Sequence, residues 1–177
     1  MASSIVIEKY DPRWPEMYAE EKKRICAAIG EYLVGIEHIG STSVPGLGAK
    51  PIIDILAGVT TLRQVENCIE PLKTIGYKYL PEYEQIIPER RYFLKSRGDT
   101  QTHHLHIFEA TNWLHRHELV FRDYMRAHPE AARQYVELKK QLAAQYGPDR
   151  TGYTAAKTDF IRAIIAQARK ETVTSDA

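Results

Sequence analysis

Three groups of residues in this chain have the types and spacing to do chemistry. The first lies in "HIGSTSVPGLGAKPIIDIL", His38 to Leu56. A Gly-Ser turn after a strand-like apolar run brings backbone N–H groups and hydroxyls to one spot, an arrangement that holds phosphate oxygens. Gly40, Ser41, Thr42 and Ser43 form that turn, and Pro45-Gly46 folds the chain back. Lys50 then precedes the next apolar run, where its ammonium can neutralise a phosphate. Asp54 stands inside that run, alternating with Ile52 and Leu56 on one face. A carboxylate among apolar neighbours needs a partner, because desolvating a lone charge is costly or shifts its pKa. A metal ion, a cationic side chain or a ring of N–H donors each meets that need. The plainer role is a carboxylate that braces a neighbouring loop.

The second group is "THHLHIFE". On a strand, His104 and His106 share one face while His103, Leu105 and Ile107 take the other. With an aspartate from a neighbouring strand, the pair could make a His-His-Asp metal site. Such donors suit Zn²⁺, Mn²⁺ or Fe²⁺ better than Mg²⁺, which prefers oxygen. The alternative is that the imidazoles line a polar pocket or bind phosphate directly. Glu109, at the strand end and on the opposite face, is the weaker candidate for a further carboxylate. His38 either braces the glycine turn or joins the pocket.

The third group is cationic. "ERRYFLK" puts Arg91, Phe93 and Lys95 on one strand face and Arg90, Tyr92 and Leu94 on the other. Arg91 is the arginine favoured to grip a phosphate bidentately. In the last helical pattern, Tyr153, Lys157, Phe160, Ile161 and Ile164 share a stripe. Lys157 either snorkels outward or reaches an anion, and Tyr153 is placed to stack on a base. Arg122 and Asp123 read as a local ion pair. The "HRH" at His115 to His117 has the wrong spacing for one helical face.

The elements that must position these groups follow from periodicity. "SIVIEKY" alternates like a short strand, and a helix with apolar residues at Met17, Tyr18, Ile25, Ala28 and Ile29 follows "DPRWP". "YLVGIEHIG" reads as a strand ending at Gly40, and "KPIIDILAGV" as a central strand buried on both faces. "TLRQVENCIEPLKTIG" is helical to a Gly76 cap, with Pro71 as a break or kink. "YKYLPEY", "RRYFLKS" and "THHLHIFE" are strands, the last two joined by "RGDTQ". A helical stripe runs from Trp113 to Met125 and ends at His128-Pro129. Two more amphipathic helices follow. The order predicts an α+β fold, a small mixed sheet with a C-terminal helical tail. The expected division is a core over 1–111, a helical lobe over 112–171 packed on it, and a frayed end over 172–177.

Bulk properties bound the function. The 177 residues, 44% hydrophobic and 27% charged, are those of a soluble globular protein. A formal net charge of +1 argues against long nucleic acid, whose binding needs surplus cations. Cys26 and Cys68 sit beside apolar residues in helical patterns and read as buried free thiols. No segment approaches 18 apolar residues and the start lacks a signal-peptide pattern, so a cytoplasmic protein without a membrane span is expected.

The Gly-Ser turn, the gap from Thr42 to Ile53 and the acidic residue on the next strand are similar to the signature of the nucleotidyltransferase superfamily. More closely, "YDPRWPEMYAEEKKRI", "HIGSTSVPGLGAKPIIDI", "RRYFLK", "THHLHIFE", "LVFRDYMRAHPEAARQY" and "YTAAKTDFI" resemble the GrpB-like family (UPF0157) of predicted nucleotidyltransferases. They span Tyr10 to Ile161. The resemblance implies a nucleotidyltransferase-like sheet whose carboxylates hold divalent metal, Mg²⁺ or Mn²⁺. An acceptor hydroxyl then attacks the α-phosphorus of a nucleoside triphosphate and pyrophosphate leaves. Carried onto this chain, Gly40, Ser41 and Thr42 touch phosphates, together with Ser43. Asp54 and Lys50 are the catalytic candidates, and the helical lobe closes over the nucleotide. Leu56 departs from the pattern: a second carboxylate is expected there. Two other functions stay open beside nucleotidyl transfer. One is an accessory module that holds a nucleotide or phosphorylated metabolite without turnover. The other is a His/Asp metal-dependent hydrolase, with Zn²⁺ as the ion.

Overall fold

The computed structural model describes residues 7–111, 113, 116–147 and 149–175. Helix α1, Trp14–Ile29, carries a proline in its first turn, where a missing N–H is harmless, and buries Trp14, Glu21, Ile25 and Ile29. Their spacing of three to four residues or its multiples places them on one stripe. Strand β1, Leu33–Ile39, and strand β2, Ile53–Val59, pair antiparallel. The segment expected as one helix up to Gly76 splits into a 3₁₀ stretch, Leu62–Cys68, and a short helix α2, Ile69–Thr74. Pro71 is the reason: it cannot donate back to the preceding turn, so it is accommodated only near a helix start. Gly76, at φ 93°, turns the chain out into β3, Tyr77–Tyr79. Strands β4, Arg91–Arg97, and β5, Thr100–Glu109, complete the sheet.

Among the described residues the strand order is β1-β2-β5-β4-β3, with β2 and β5 parallel and every other pair antiparallel. The predicted mixed sheet is therefore present. β2 is an interior strand, between β1 and β5, and Ile53, Ile55, Leu56, Ala57 and Val59 are fully buried. Each such aliphatic side chain removed from water contributes about 1.5–3 kcal/mol. Helices α1 and α2 lie on the sheet face that carries Phe93, Leu105 and Lys95. There the buried Glu21 carboxylate accepts from Lys95 Nζ at 2.7 Å, which meets the requirement that a buried charge be paired.

The chain falls into two compact units. One comprises Pro12–Ser43 and Pro51–Trp113; the other comprises the described residues up to Asp11, Val44–Lys50 and the C-terminal helices. The loop after the glycine turn thus belongs to the helical unit. The cause is hydrophobic: Val44 and Leu47 are buried with Phe121, Met125, Ala132 and Tyr135. Polar contacts fix the same loop. Glu8 and Ala49 exchange backbone hydrogen bonds, and Lys139 Nζ donates to the Gly48 carbonyl at 2.5 Å.

Helix α3 is His117–Ala127, shorter than the expected stripe from Trp113. Trp113 packs in the sheet unit instead, because Gly35 and Gly58, paired across β1 and β2, leave room for its indole. Leu114 and His115 lie outside the described residues. Helix α4 is Pro129–Tyr146, and helix α5, Arg150–Ser175, continues past the expected fraying point at 172. Of the two thiols, Cys68 is buried as expected, but Cys26 is exposed: the apolar stripe of α1 runs through Ile25 and Ile29 and leaves position 26 to solvent. Among the described residues, no helix is long and apolar enough to cross a membrane.

Candidate active site

Register assembles the site. In the parallel pair, Asp54 on β2 stands opposite His104 on β5, and Leu56 opposite His106. Paired residues share a face, so the aspartate and both imidazoles project together. His104 Nδ1 lies 3.0 Å from Asp54 Oδ1, and His106 Nε2 lies 3.8 Å from the same oxygen. One donor atom from each residue falls within 4.8 Å of the others. The side chains keep 30%, 20% and 18% exposure, in the order Asp54, His104, His106, so the cluster is open to a ligand.

The electrostatics match that geometry. Burial pushes the Asp54 carboxyl up, but hydrogen bonds and charge from His104 and His106 outweigh it and hold the group well below the usual carboxylate range. Burial pushes His106 down against the pull of Asp54, with Arg90 and His104 adding to the depression. His106 is therefore a neutral imidazole near pH 7, the form that ligates metal. Gln101 Oε1 lies 3.3 Å from His104 Nε2 and orients that ring from behind. Two imidazole nitrogens and one carboxylate oxygen fit a transition-metal ion such as Mn²⁺ or Zn²⁺ better than Mg²⁺.

The glycine turn abuts this cluster. Gly40 has φ 71°, and a Cβ built there would sit 2.5 Å from Asp54 Oδ2. Only glycine allows both the left-handed backbone and the approach of the carboxylate. Thr42 and Ser43, expected at phosphates, do something else. The Thr42 hydroxyl donates to the Ile52 carbonyl at 3.3 Å, and Ser43 Oγ donates to the Gly40 carbonyl at 2.6 Å; both residues are buried. Because the Thr42 proton goes to Ile52, its oxygen accepts from His38 Nε2 at 2.9 Å. His38, stacked on Tyr18 at 4.8 Å, therefore braces the turn. Ser41 is the hydroxyl of this turn that keeps surface exposure.

Several sequence-derived candidates lie elsewhere. Arg91 is on the helix-covered face with Phe93, donating to Pro88 O at 2.9 Å and pairing with Glu84 at 3.2 Å. Strand parity, set by Tyr92 standing opposite His106, puts Tyr92 on the Asp54 face and Arg91 off it. Arg90, whose guanidinium lies 5.0 Å over the Tyr92 ring, is the arginine beside His106. Arg90 and Tyr92 are the residues that sequence reasoning passed over; the alternation in "RRYFLK" was the available signal, but nothing local said which face was covered. Glu109 accepts from the Leu62 N–H at 3.0 Å and caps the 3₁₀ stretch. Lys50, Tyr153 and Lys157 belong to the helical unit. Tyr153 is buried, and Lys157 Nζ already lies 4.3 Å over its ring, so that ring is not available to a base. Arg122 pairs with Asp123 at 2.7 Å, as the sequence suggested. Leu56 is fully buried.

A mixed five-stranded sheet whose first two strands are joined through a glycine turn, with an acid on the second, defines the nucleotidyltransferase-like fold class. The chain resembles the Cid1 poly(U) polymerase solved with MgGTP: TM-score 0.51, 17% identity, 78% of this chain and 44% of that one. The chain belongs to the GrpB family, whose model, GrpB protein, matches residues 4–167. It is similar to a crystal structure of conserved protein GrpB from Enterococcus faecalis, with TM-score 0.83 and 38% identity over 94% of this chain and 99% of that one. It is 42% identical to UPF0157 protein YqkA of Bacillus subtilis over 161 residues, covering 91% of this chain and 46% of YqkA. The chain thus spans about half the length of that relative.

Proposed function

We propose that this protein is a metal-dependent nucleotidyltransferase that moves a nucleotidyl group from a nucleoside triphosphate to a small acceptor. The observation that carries this reading is the approach of Gly40 to Asp54, which sets the glycine turn directly against a carboxylate flanked by two imidazoles. Asp54, His104 and His106 are the residues that would hold a divalent ion, Mn²⁺ or Mg²⁺. Such an ion supplies charge neutralisation at the phosphates and polarisation of the α-phosphoryl group. The turn at Gly40 and Ser41 receives phosphate oxygens, while Thr42, Ser43 and His38 hold its shape. The acceptor hydroxyl forms the new bond to the α-phosphorus as the bond to the bridging oxygen breaks, releasing pyrophosphate and one proton. The fold neighbour Cid1, solved with MgGTP, supports a triphosphate as donor.

The test is pyrophosphate release with each triphosphate and Mn²⁺ or Mg²⁺. Release that disappears in Asp54→Asn is the expected result; release of equal rate in that variant overturns the reading. Two observations favour other readings. Leu56, fully buried where a second acid is expected, suits a module that binds a nucleotide or phosphorylated metabolite without turnover. That module would give stoichiometric nucleotide binding and no pyrophosphate. The two-imidazole donor set suits a Zn²⁺-dependent hydrolase, which would release phosphate or another hydrolysis product instead of pyrophosphate.

A further inference from the structure

The helical unit contains a cleft that nucleotidyl transfer does not use. It has a volume of about 740 Å³ and is lined by the loop after the glycine turn and by helices α3 and α4. Clefts of roughly 300–1,000 Å³ take whole small molecules. The lining is mostly apolar. Leu47, Met125 and Ala132 belong to the buried core of the helical unit, and Val136 packs against it. The Pro45-Gly46 turn supplies one wall and leaves the cleft open: Gly46 has φ 78°, and a Cβ built there would meet no atom within 4 Å.

Two guanidinium groups line the same cleft. Arg126 faces Asp123 at 4.0 Å. Arg133 is exposed, and its side chain makes no ion pair or hydrogen bond among the described residues. The neighbouring acids are engaged elsewhere or lie aside. Glu137 pairs with Lys140 at 2.8 Å, Asp123 accepts from Arg122 at 2.7 Å, and Glu130 is exposed and outside the lining. An apolar cleft with an unpaired cation complements a ligand that has an apolar body and a negative end. A carboxylate matches the fork of a guanidinium and brings one charge, whereas a phosphate monoester would bring roughly two beside Glu137.

We propose that this cleft binds an aliphatic carboxylate, its chain against Leu47, Met125, Ala132 and Val136 and its carboxylate on Arg133. The site is independent of the reaction proposed above.

Calorimetric titration of the full chain with hexanoate, octanoate and decanoate, with decanol and decylamine as controls, tests it. Affinity should rise by up to about fourfold for each added methylene, the gain from burying it. Decanoate should bind at least about tenfold more tightly than decanol or decylamine, as a charge-assisted contact to an arginine requires. Arg133→Gln, at an exposed position, should reduce decanoate affinity about tenfold and leave decanol affinity unchanged. Val136→Glu, which sets a like charge in the apolar lining, should abolish decanoate binding. Circular dichroism melting establishes that each variant is folded. Decanoate affinity equal to that of decanol, affinity independent of chain length, or wild-type affinity in either folded variant would each overturn the proposal.

Discussion

Asp54 Oδ2 occupies the place where a side chain on residue 40 would begin, 2.5 Å from an ideal Cβ at Gly40. The turn and the carboxylate are one object, and neither can change alone. Gly40→Ala meets both this collision and a φ of 71°. It should cost about 1–3 kcal/mol of stability and displace Asp54 from His104. Thermal melting and Mn²⁺ titration check this, and a variant with wild-type melting and metal affinity would show that the contact is dispensable.

Leu56 is the second test position. It stands opposite His106 and across from Glu37, with no exposure. Leu56→Asp buries a new carboxylate and should cost about 3–5 kcal/mol in metal-free buffer. Mn²⁺ should restore part of that loss, because a second acid beside Asp54 raises the affinity of the face for a cation. Melting with and without Mn²⁺ measures the recovery; equal melting in both buffers would place position 56 away from any metal.

Arg91 offers a control for strand parity. Because its guanidinium pairs with Glu84 on the helix-covered face, Arg91→Gln should leave nucleotide and metal affinities within twofold of wild type. Its stability cost should be about 1 kcal/mol or less, as for other partly exposed pairs. A large loss of nucleotide affinity, measured by titration, would return Arg91 to the site.

Lys139 predicts a pH dependence in the helical unit. Burial, with the Lys157 charge adding, pushes its ammonium from 10.5 down to about 7. The unfolded chain therefore binds the proton between about pH 7 and 10.5 while the folded chain does not, and stability rises with pH across that window. The penalty is fully present below pH 7. The slope from this one group is at most about 1.4 kcal/mol per pH unit. Lys139→Met removes that slope, though it also takes a donor from the Gly48 carbonyl. The difference between the two stability curves from pH 7 to 9 isolates Lys139, since other alkaline groups, such as Cys68 with its thiol pushed up to about 11, are common to both. Parallel curves would show that Lys139 titrates normally.

The local signals in the sequence carried most of the fold and the centre of the site. Short apolar runs bounded by turn residues place β1, β2, β4 and β5, and the alternation of His104 and His106 puts both imidazoles on one face without any knowledge of the partner strand. Gly40 announces a turn; that its backbone is left-handed is a finding of the structure. These features are short-range: they depend on side-chain alternation and on φ/ψ preferences within a few residues. Tertiary structure decided what such signals leave open. Whether Asp54 meets the histidines depends on β2 pairing with β5 in register, a contact between residues 50 positions apart. Which arginine faces the site depends on which side α1 and α2 cover. Thr42 and Ser43 are of a type that suits a ligand, yet their hydroxyls go to the Ile52 and Gly40 carbonyls, because a buried hydroxyl must find a partner within the fold. Sequence determines which face a residue takes on its own strand; only the pairing and covering of strands determine what that face sees.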